Sequence, residues 1–137
     1  MKKILFILTL FLLTASVSMA QDDGDEKIRD KMREYIQQRM GLNRNEAERF
    51  TPVFLRYFRE WRSTLKDNRG DRLILQQKVV ELRLRYRTEF KEIVGERRSN
   101  EVYEHQEKFI RELKNIRQER MRDRQGPRTR MRSILLQ

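Results

Sequence analysis

Residues 40–61 read MGLNRNEAERFTPVFLRYFREW, and this stretch decides the fold. Gly41 follows a run of apolar residues at helical spacing, so it predicts the C-terminal end of a first helix. Asn43 and Glu46 then have the spacing of a capping box, in which each side chain accepts from the other residue's backbone N–H. Leu42, Asn43 and Glu46 therefore predict a sharp turn into a second helix.

The second helix is predicted to carry a broad aromatic face. Its rings are Phe50, Phe54, Tyr57, Phe58 and Trp61. Pro52 lies inside this helix, where it removes a backbone donor and predicts a kink. Two interpretations of the face stay open. The rings form an ordinary helical core, or part of the face stays accessible to a partner.

Helical periodicity continues along the rest of the chain, and no strand-like alternation interrupts it. Residues 67–70 form a turn by composition, and Asp71 can cap a third helix over residues 72–94. Because this turn is short, the second and third helices should pack as a long antiparallel αα-hairpin. The prediction is an all-α fold of about four helices, thin and elongated or cradle-like, and dimeric.

The fourth helix is predicted to begin after Gly95, with Ser99 or Asn100 as its N-cap. Gly126-Pro127 is predicted to end this helix. Residues 125–137 then form a basic tail, which we expect to be disordered. Its arginines and its apolar end leave two alternatives, a solvated tail or a weak contact with anionic membrane.

The first 20 residues have the organisation of a secretory signal peptide. Lys2 and Lys3 precede an apolar run over residues 4–13, and Ser18-Met19-Ala20 fits the small-x-small rule for cleavage after Ala20. An uncleaved N-terminal anchor is the alternative. The sequence therefore predicts export to the periplasm and a single helical domain over residues 21–124.

The chain is strongly basic, with a formal net charge of +11. Removing Lys2 and Lys3 with the signal peptide leaves +9. Export argues against nucleic acid as a partner, so this positive field should meet proteins, anionic lipid or polyanionic envelope material. The chain has no cysteine, so stability must come from packing and from dimerisation.

Few residues could carry catalysis or bind a metal. His105 is the one histidine, and a partly covered surface position is its expected role. Met32 and Met40 lie two turns apart on an apolar face, where methionine ordinarily fills a core. The sequence predicts no enzyme activity, no cofactor and no metal.

What remains is aromatic surface combined with positive charge. The predicted basic rim consists of Arg56, Arg59, Arg62, Arg83, Arg85 and Arg87. Charge would capture a partner at long range, and the aromatic rings would then hold it.

The stretch Leu42-Asn43-Arg44-Asn45-Glu46 resembles the Leu-Thr-x-x-Gln motif of the Spy/CpxP family of periplasmic stress proteins. Asn43 stands in place of Thr and Glu46 in place of Gln, and both keep the capping geometry. The second copy of the motif, expected before the fourth helix, is absent from RRSNEVYEHQ. The segment VYEHQEKFIRELKNIRQER is similar to small exported proteins of Bacteroidetes-type bacteria, labelled as sensors linked to extracytoplasmic sigma factors.

The resemblance implies two functions. Spy-like members are dimers whose concave face binds unfolded clients without ATP, and CpxP-like members inhibit an envelope sensor. We therefore expect an ATP-independent chaperone for exposed apolar segments of unfolded or misfolded envelope proteins. The alternative is a regulatory module that docks on a membrane sensor or an anti-sigma factor.

Overall fold

The computed structural model describes residues 23–134, and the side chains of residues 23–124 among them. Helix α1 covers residues 23–39, α2 Arg44–Asp67, α3 Arg72–Val94 and α4 Glu96–Ile134. Within residues 23–134 there is no strand, so the all-α prediction is confirmed. The predicted signal peptide, residues 1–20, lies outside the described residues.

The first three helices run antiparallel to their neighbours. Arg62 near the end of α2 pairs with Asp25 near the start of α1, at 2.7 Å. Glu60 of α2 accepts a hydrogen bond from Tyr86 of α3 at 2.6 Å. The turn between α2 and α3 is only four residues long, so the predicted central hairpin is present.

Helix α4 completes a four-helix bundle. On one side, Phe109 of α4 lies edge-on to Tyr35 of α1, with ring centroids 5.5 Å apart. On the other side, the Tyr103 hydroxyl donates to the Arg83 carbonyl of α3 at 2.7 Å. Because α4 contacts both α1 and α3, the four helices enclose one core.

All four helices contribute apolar side chains to this core. Its buried members are Met32, Ile36, Met40, Phe50, Val53, Phe54, Tyr57, Phe58, Leu82, Tyr86, Phe90, Val94 and Val102. The first three lie on α1, where methionine fills the core as the sequence predicted.

The turn between α1 and α2 has the predicted structure. Gly41 ends α1 with a φ of +61°, a left-handed conformation that favours glycine. The Asn43 side chain accepts from the Glu46 N–H at 2.8 Å, and the Glu46 carboxylate accepts from the Asn43 N–H at 3.3 Å. This capping box is confirmed. Leu42 is half-buried against the core.

Glu46 also links the start of α2 to the junction of α3 and α4. The Arg98 guanidinium of α4 donates to both oxygens of the Glu46 carboxylate, and its Nε donates to the Val94 carbonyl at 2.9 Å. The start of α2 is thereby bound to the junction of α3 and α4. One carboxylate therefore caps a helix and closes an ion pair.

The Glu46 interactions predict a stability that depends on pH. The hydrogen bonds from Arg98 and then from the Asn43 backbone hold the pKa of Glu46 below its usual value. A lowered folded pKa adds stability above the unfolded pKa, and this stability is lost as pH falls through the folded pKa. Melting temperatures of the wild type and Glu46→Gln should therefore differ near neutral pH and converge as the pH falls below the unfolded pKa of about 4.3.

Glu48→Gln is the matched control, because Glu48 is an exposed carboxylate paired only with exposed Arg44. This variant should follow the wild type throughout the titration. A constant gap between the wild type and Glu46→Gln across the whole range would contradict the assignment.

The junction of α3 and α4 differs from the prediction. Helix α4 begins at Glu96, directly after Gly95, and not at Ser99 or Asn100. Gly95 has a φ of +85°, and its carbonyl accepts from the Ser99 N–H at 3.0 Å. Because Gly95 reverses the chain by itself, Ser99 lies inside the helix, buried, with its hydroxyl donating to the Glu96 carbonyl.

The C-terminal end of α4 also differs. The helix has 39 residues and continues through Gly126 and Pro127 to Ile134, so the predicted stop at these two residues is wrong. The backbone of residues 125–134 is helical where we expected a disordered tail. Arginine, glutamine and methionine around this pair favour helix and offset its cost. At about 1.5 Å per residue, α4 is roughly 58 Å long and gives the molecule an elongated shape.

Pro52 lies inside α2, which runs unbroken on both sides of it. The proline has no N–H to donate to the preceding turn. The neighbouring Thr51 hydroxyl donates to the Ala47 carbonyl at 2.8 Å, in the same turn. The kink expected at Pro52 stays a prediction.

Candidate protein-binding surface

The aromatic face of α2 points into the bundle. Phe50, Phe54 and Tyr57 are fully buried, and Phe58 is 4% exposed. These four rings cannot contact a client in this structure, so the interpretation that places them on an accessible face is wrong. Trp61 is half-buried and packs on Phe58, with ring centroids 5.6 Å apart.

The reason for this burial is the number of helices that meet at α2. Tyr57 lies edge-on to Tyr86 of α3 and to Tyr103 of α4, at 5.5 and 5.6 Å between ring centroids. Phe50 packs on Phe90 at 5.1 Å. A single partner helix could not cover so many rings, but the closed bundle supplies both α3 and α4.

A buried polar pair crosses this aromatic core. The Tyr57 hydroxyl donates to the Gln106 carboxamide oxygen at 2.5 Å, and both residues are fully buried. The Gln106 amide nitrogen has no hydrogen-bond partner within the described structure. Burial raises the pKa of Tyr57, and the nearby Arg83 charge opposes this rise.

The predicted basic rim is largely neutralised by ion pairs. The pairs are Arg56 with Glu89, Arg62 with Asp25, Arg83 with Glu107 and Arg85 with Glu60. Arg59 and Arg87 are exposed, and neither has a carboxylate within ion-pair distance among the side chains of residues 23–124. Most of this rim therefore holds helices together.

Helix α3 has apolar residues on two opposite sides. Leu82, Tyr86 and Phe90 form its core side and are buried. Leu73, Val80 and Leu84 lie on the outer side. One apolar side is enough to pack a helix into the bundle, and the second side of α3 has no partner among the described side chains of residues 23–124.

We call Leu73, Gln77, Val80 and Leu84 the α3 row. Their spacings of four, three and four residues place them on one side of the helix. Leu73 is 76% exposed, Val80 54% and Leu84 50%, and Ile74 beside them is 41% exposed. Exposed aliphatic side chains along one side of a helix, here with Gln77 among them, are typical of a protein-binding surface.

Two bases continue the α3 row beyond Leu84. Arg87 and Lys91 continue the same line at spacings of three and four residues, and both are exposed. On α4, the Glu107 carboxylate forms an ion pair with the Arg83 guanidinium of α3, with 2.9 Å between Oε1 and Nη1.

The side chains of α4 are exposed from residue 114 to residue 124. We call residues 114–124 the α4 extension, because every residue in it is exposed. Five bases and two acids lie in it, together with Ile116, 46% exposed, and Met121, 63% exposed.

No helix within residues 23–134 is both long enough and apolar enough to cross a bilayer. Contact of the tail with anionic membrane stays a prediction.

The described residues contain no cluster of three or more histidine, aspartate or glutamate side chains placed to hold a metal ion. His105 is half-buried, and burial lowers its pKa. Its Nδ1 has no hydrogen-bond partner among the described side chains.

Sequence reasoning did not identify the α3 row as a site. The signal was present, since Leu73, Val80 and Leu84 stand outside the periodic core positions of the third helix. A helix with apolar residues on both sides needs either burial all round or a partner.

No family model, no curated protein and no solved structure matches this chain. The resemblance to the Spy/CpxP family accordingly stays an expectation.

Proposed function

We propose that the chain is a regulatory protein-binding module of the periplasm that docks on its partner through the outer side of α3. The partner is a membrane sensor or an anti-sigma factor, as the resemblance implies. The observation that supports this function is the exposed α3 row on a bundle whose aromatic residues are buried. A narrow row on one helix suits a single defined partner better than a mixture of unfolded chains.

A general chaperone is the second candidate. Ile116 and Met121 are exposed on the α4 extension, and bases flank them in the sequence. Scattered apolar contacts of this kind suit loose binding of many unfolded segments, without ATP. The aromatic cradle is no longer part of this candidate, because its rings are buried.

Site-specific cross-linking separates the two functions. A photo-reactive amino acid in place of Val80 should give one discrete adduct in cells that produce the full chain. The same group in place of Arg44, which is 93% exposed at the start of α2, should give none. The two positions should differ because Val80 lies on the proposed contact surface and Arg44 does not.

A broad smear of adducts from position 80 would favour the chaperone. No adduct at position 80, in a variant that retains its helical circular dichroism, would contradict docking through α3.

A further inference from the structure

We propose that the α4 extension binds the phosphate groups of an anionic lipid surface through one basic side. This side carries Lys114, Arg117, Met121 and Arg124, which we call the α4 stripe. The inference concerns a second surface of the molecule and goes beyond docking through α3. It combines the charge of the stripe, the direction in which the stripe faces and its composition.

The charge of the α4 stripe is separated from the acids of the same helix. The spacings within the stripe are three, four and three residues, so its members share one side, and all are exposed. No acid lies three or four residues from any of its bases, so helical ion pairs do not neutralise them. Arg120 lies beside the stripe. The two acids of the extension, Glu119 and Asp123, lie roughly on the opposite side.

The stripe continues the side of α4 that packs on α3. Glu107 and Tyr103 lie seven and eleven residues before the start of the stripe, on the same line. The Tyr103 hydroxyl donates to the Arg83 carbonyl at 2.7 Å, and the Glu107 carboxylate pairs with the Arg83 guanidinium at 2.9 Å. Because α3 begins at Arg72 and runs antiparallel to α4, it ends opposite about residue 116 of α4. Beyond that level α3 no longer covers this side, so a partner can approach it.

The composition of the stripe favours lipid over protein. A stable protein interface needs a buried apolar centre, and the stripe offers only Met121, 63% exposed, among its bases. A lipid surface instead attracts each base separately, with a gain in affinity of about fivefold for each. Arginine can donate two parallel hydrogen bonds to phosphate oxygens, and Met121 can enter the interface between headgroups. A straight basic stripe therefore fits a flat anionic surface without a shaped pocket.

Two α4 stripes cannot pair with each other. Every charged residue in the stripe is a base, so parallel and antiparallel arrangements both bring like charges together. Among partners of an exported chain, anionic lipid therefore matches both the charge of the stripe and its lack of an apolar centre.

Vesicle flotation tests this inference on the full mature chain. The chain should bind vesicles of phosphatidylglycerol with phosphatidylcholine, and not vesicles of phosphatidylcholine alone, and salt should weaken binding. Lys114→Gln, Arg117→Gln and Arg124→Gln together should lower the partition coefficient by about a hundredfold, because each base contributes about fivefold. The helix should persist in this variant, since glutamine favours helix and the stripe lies outside the core.

The matched control removes the same charge at the far end of the bundle. Arg44→Gln, Arg49→Gln and Arg97→Gln together change three exposed bases near the starts of α2 and α4. Arg97 lies roughly 26 Å from Lys114 along α4, at about 1.5 Å per residue. This distance exceeds the screening length of about 10 Å, so the partition coefficient should change by less than about threefold. Equal losses in the two triple variants would show a response to net charge alone and overturn the inference.

A fluorescent label reports which side of α4 meets the lipid. The chain has no cysteine, so Met121→Cys and Glu119→Cys each create a single labelling site. With anionic vesicles, the emission of an environment-sensitive dye should shift to the blue at position 121. The same dye at position 119, on the opposite side, should shift less. Equal shifts, or a larger shift at position 119, would contradict binding through the stripe.

Other partners appear as distinct outcomes. Vesicle binding that survives the triple change in the stripe would assign the contact to another part of the chain. Self-association or binding of polyglutamate that the same change abolishes, without vesicle binding, would assign the stripe to a second copy or to an acidic protein. Each of these results would overturn the inference. Docking through α3 is tested by cross-linking at position 80, so the two proposals can fail separately.

Discussion

Phe54→Ala is expected to lower the free energy of unfolding by about 3–5 kcal/mol. The Phe54 ring is fully buried and packs between Phe50 and Phe58, with ring centroids 5.6 and 6.2 Å away. Truncation removes the buried surface of the ring and leaves a cavity that packed neighbours only partly fill. Urea unfolding followed by circular dichroism measures the change.

Leu84→Ala is the matched control, since Leu84 is a large apolar residue that is 50% exposed on the outer side of α3. Its loss should change stability by about 0.5 kcal/mol or less. Phe54→Ala should lower stability and leave the side chains of the α3 row in place, whereas Leu84→Ala should weaken partner binding with little change in stability. If Phe54→Ala were as stable as the wild type but no longer bound the partner, the Phe54 ring would have to be exposed and part of the binding surface. This result would contradict the buried core.

The helices could be predicted from the sequence because their ends depend on local chemistry. Asn43 with Glu46 at the start of α2, and Asp71 at the start of α3, act through side chains that reach only two or three residues. Gly41 ends α1 for an equally local reason, a positive φ. Such signals can be recognised from the sequence without knowledge of the rest of the fold.

The fourth helix shows where local signals are insufficient. Ser99 has good capping chemistry, but Gly95 already reverses the chain and places Ser99 in the first turn of α4. Gly126-Pro127 disfavours helix, but the surrounding helix formers outweigh it in the backbone up to Ile134. In both cases two signals compete, and the sequence alone does not give their relative strengths.

The binding surface was misplaced because burial is a property of the whole assembly. Phe50 and Tyr57 look available as long as α2 has one partner helix, and α4 covers them only when the bundle closes. Val80 and Leu84 look like minor additions to a core stripe, but closure leaves them outside. The largest side chains of this chain therefore stabilise the fold, and the smaller aliphatic ones are available for binding.

The buried Tyr57–Gln106 pair gives a second large effect. Tyr57→Phe should destabilise the protein by about 1–3 kcal/mol, because it leaves the whole buried carboxamide of Gln106 without a partner. Gln106→Leu should cost less, because it also removes an amide nitrogen that has no partner already. Both changes keep the approximate volume of the core, so the cost is mainly polar.

The combined variant, Tyr57→Phe with Gln106→Leu, should be close to the wild type in stability, since both ends of the hydrogen bond are then apolar. The double-mutant cycle should therefore show a coupling close to the sum of the two single losses, measured from the four urea unfolding curves. Tyr57→Phe combined with Leu84→Ala gives the control, because Leu84 lies outside the core and the two effects should add. Additive losses for Tyr57 and Gln106 would show that their hydrogen bond is not formed in solution. Recovery of stability in the double variant would show instead that this polar pair can be exchanged for apolar packing, and that the aromatic core itself holds the four helices together.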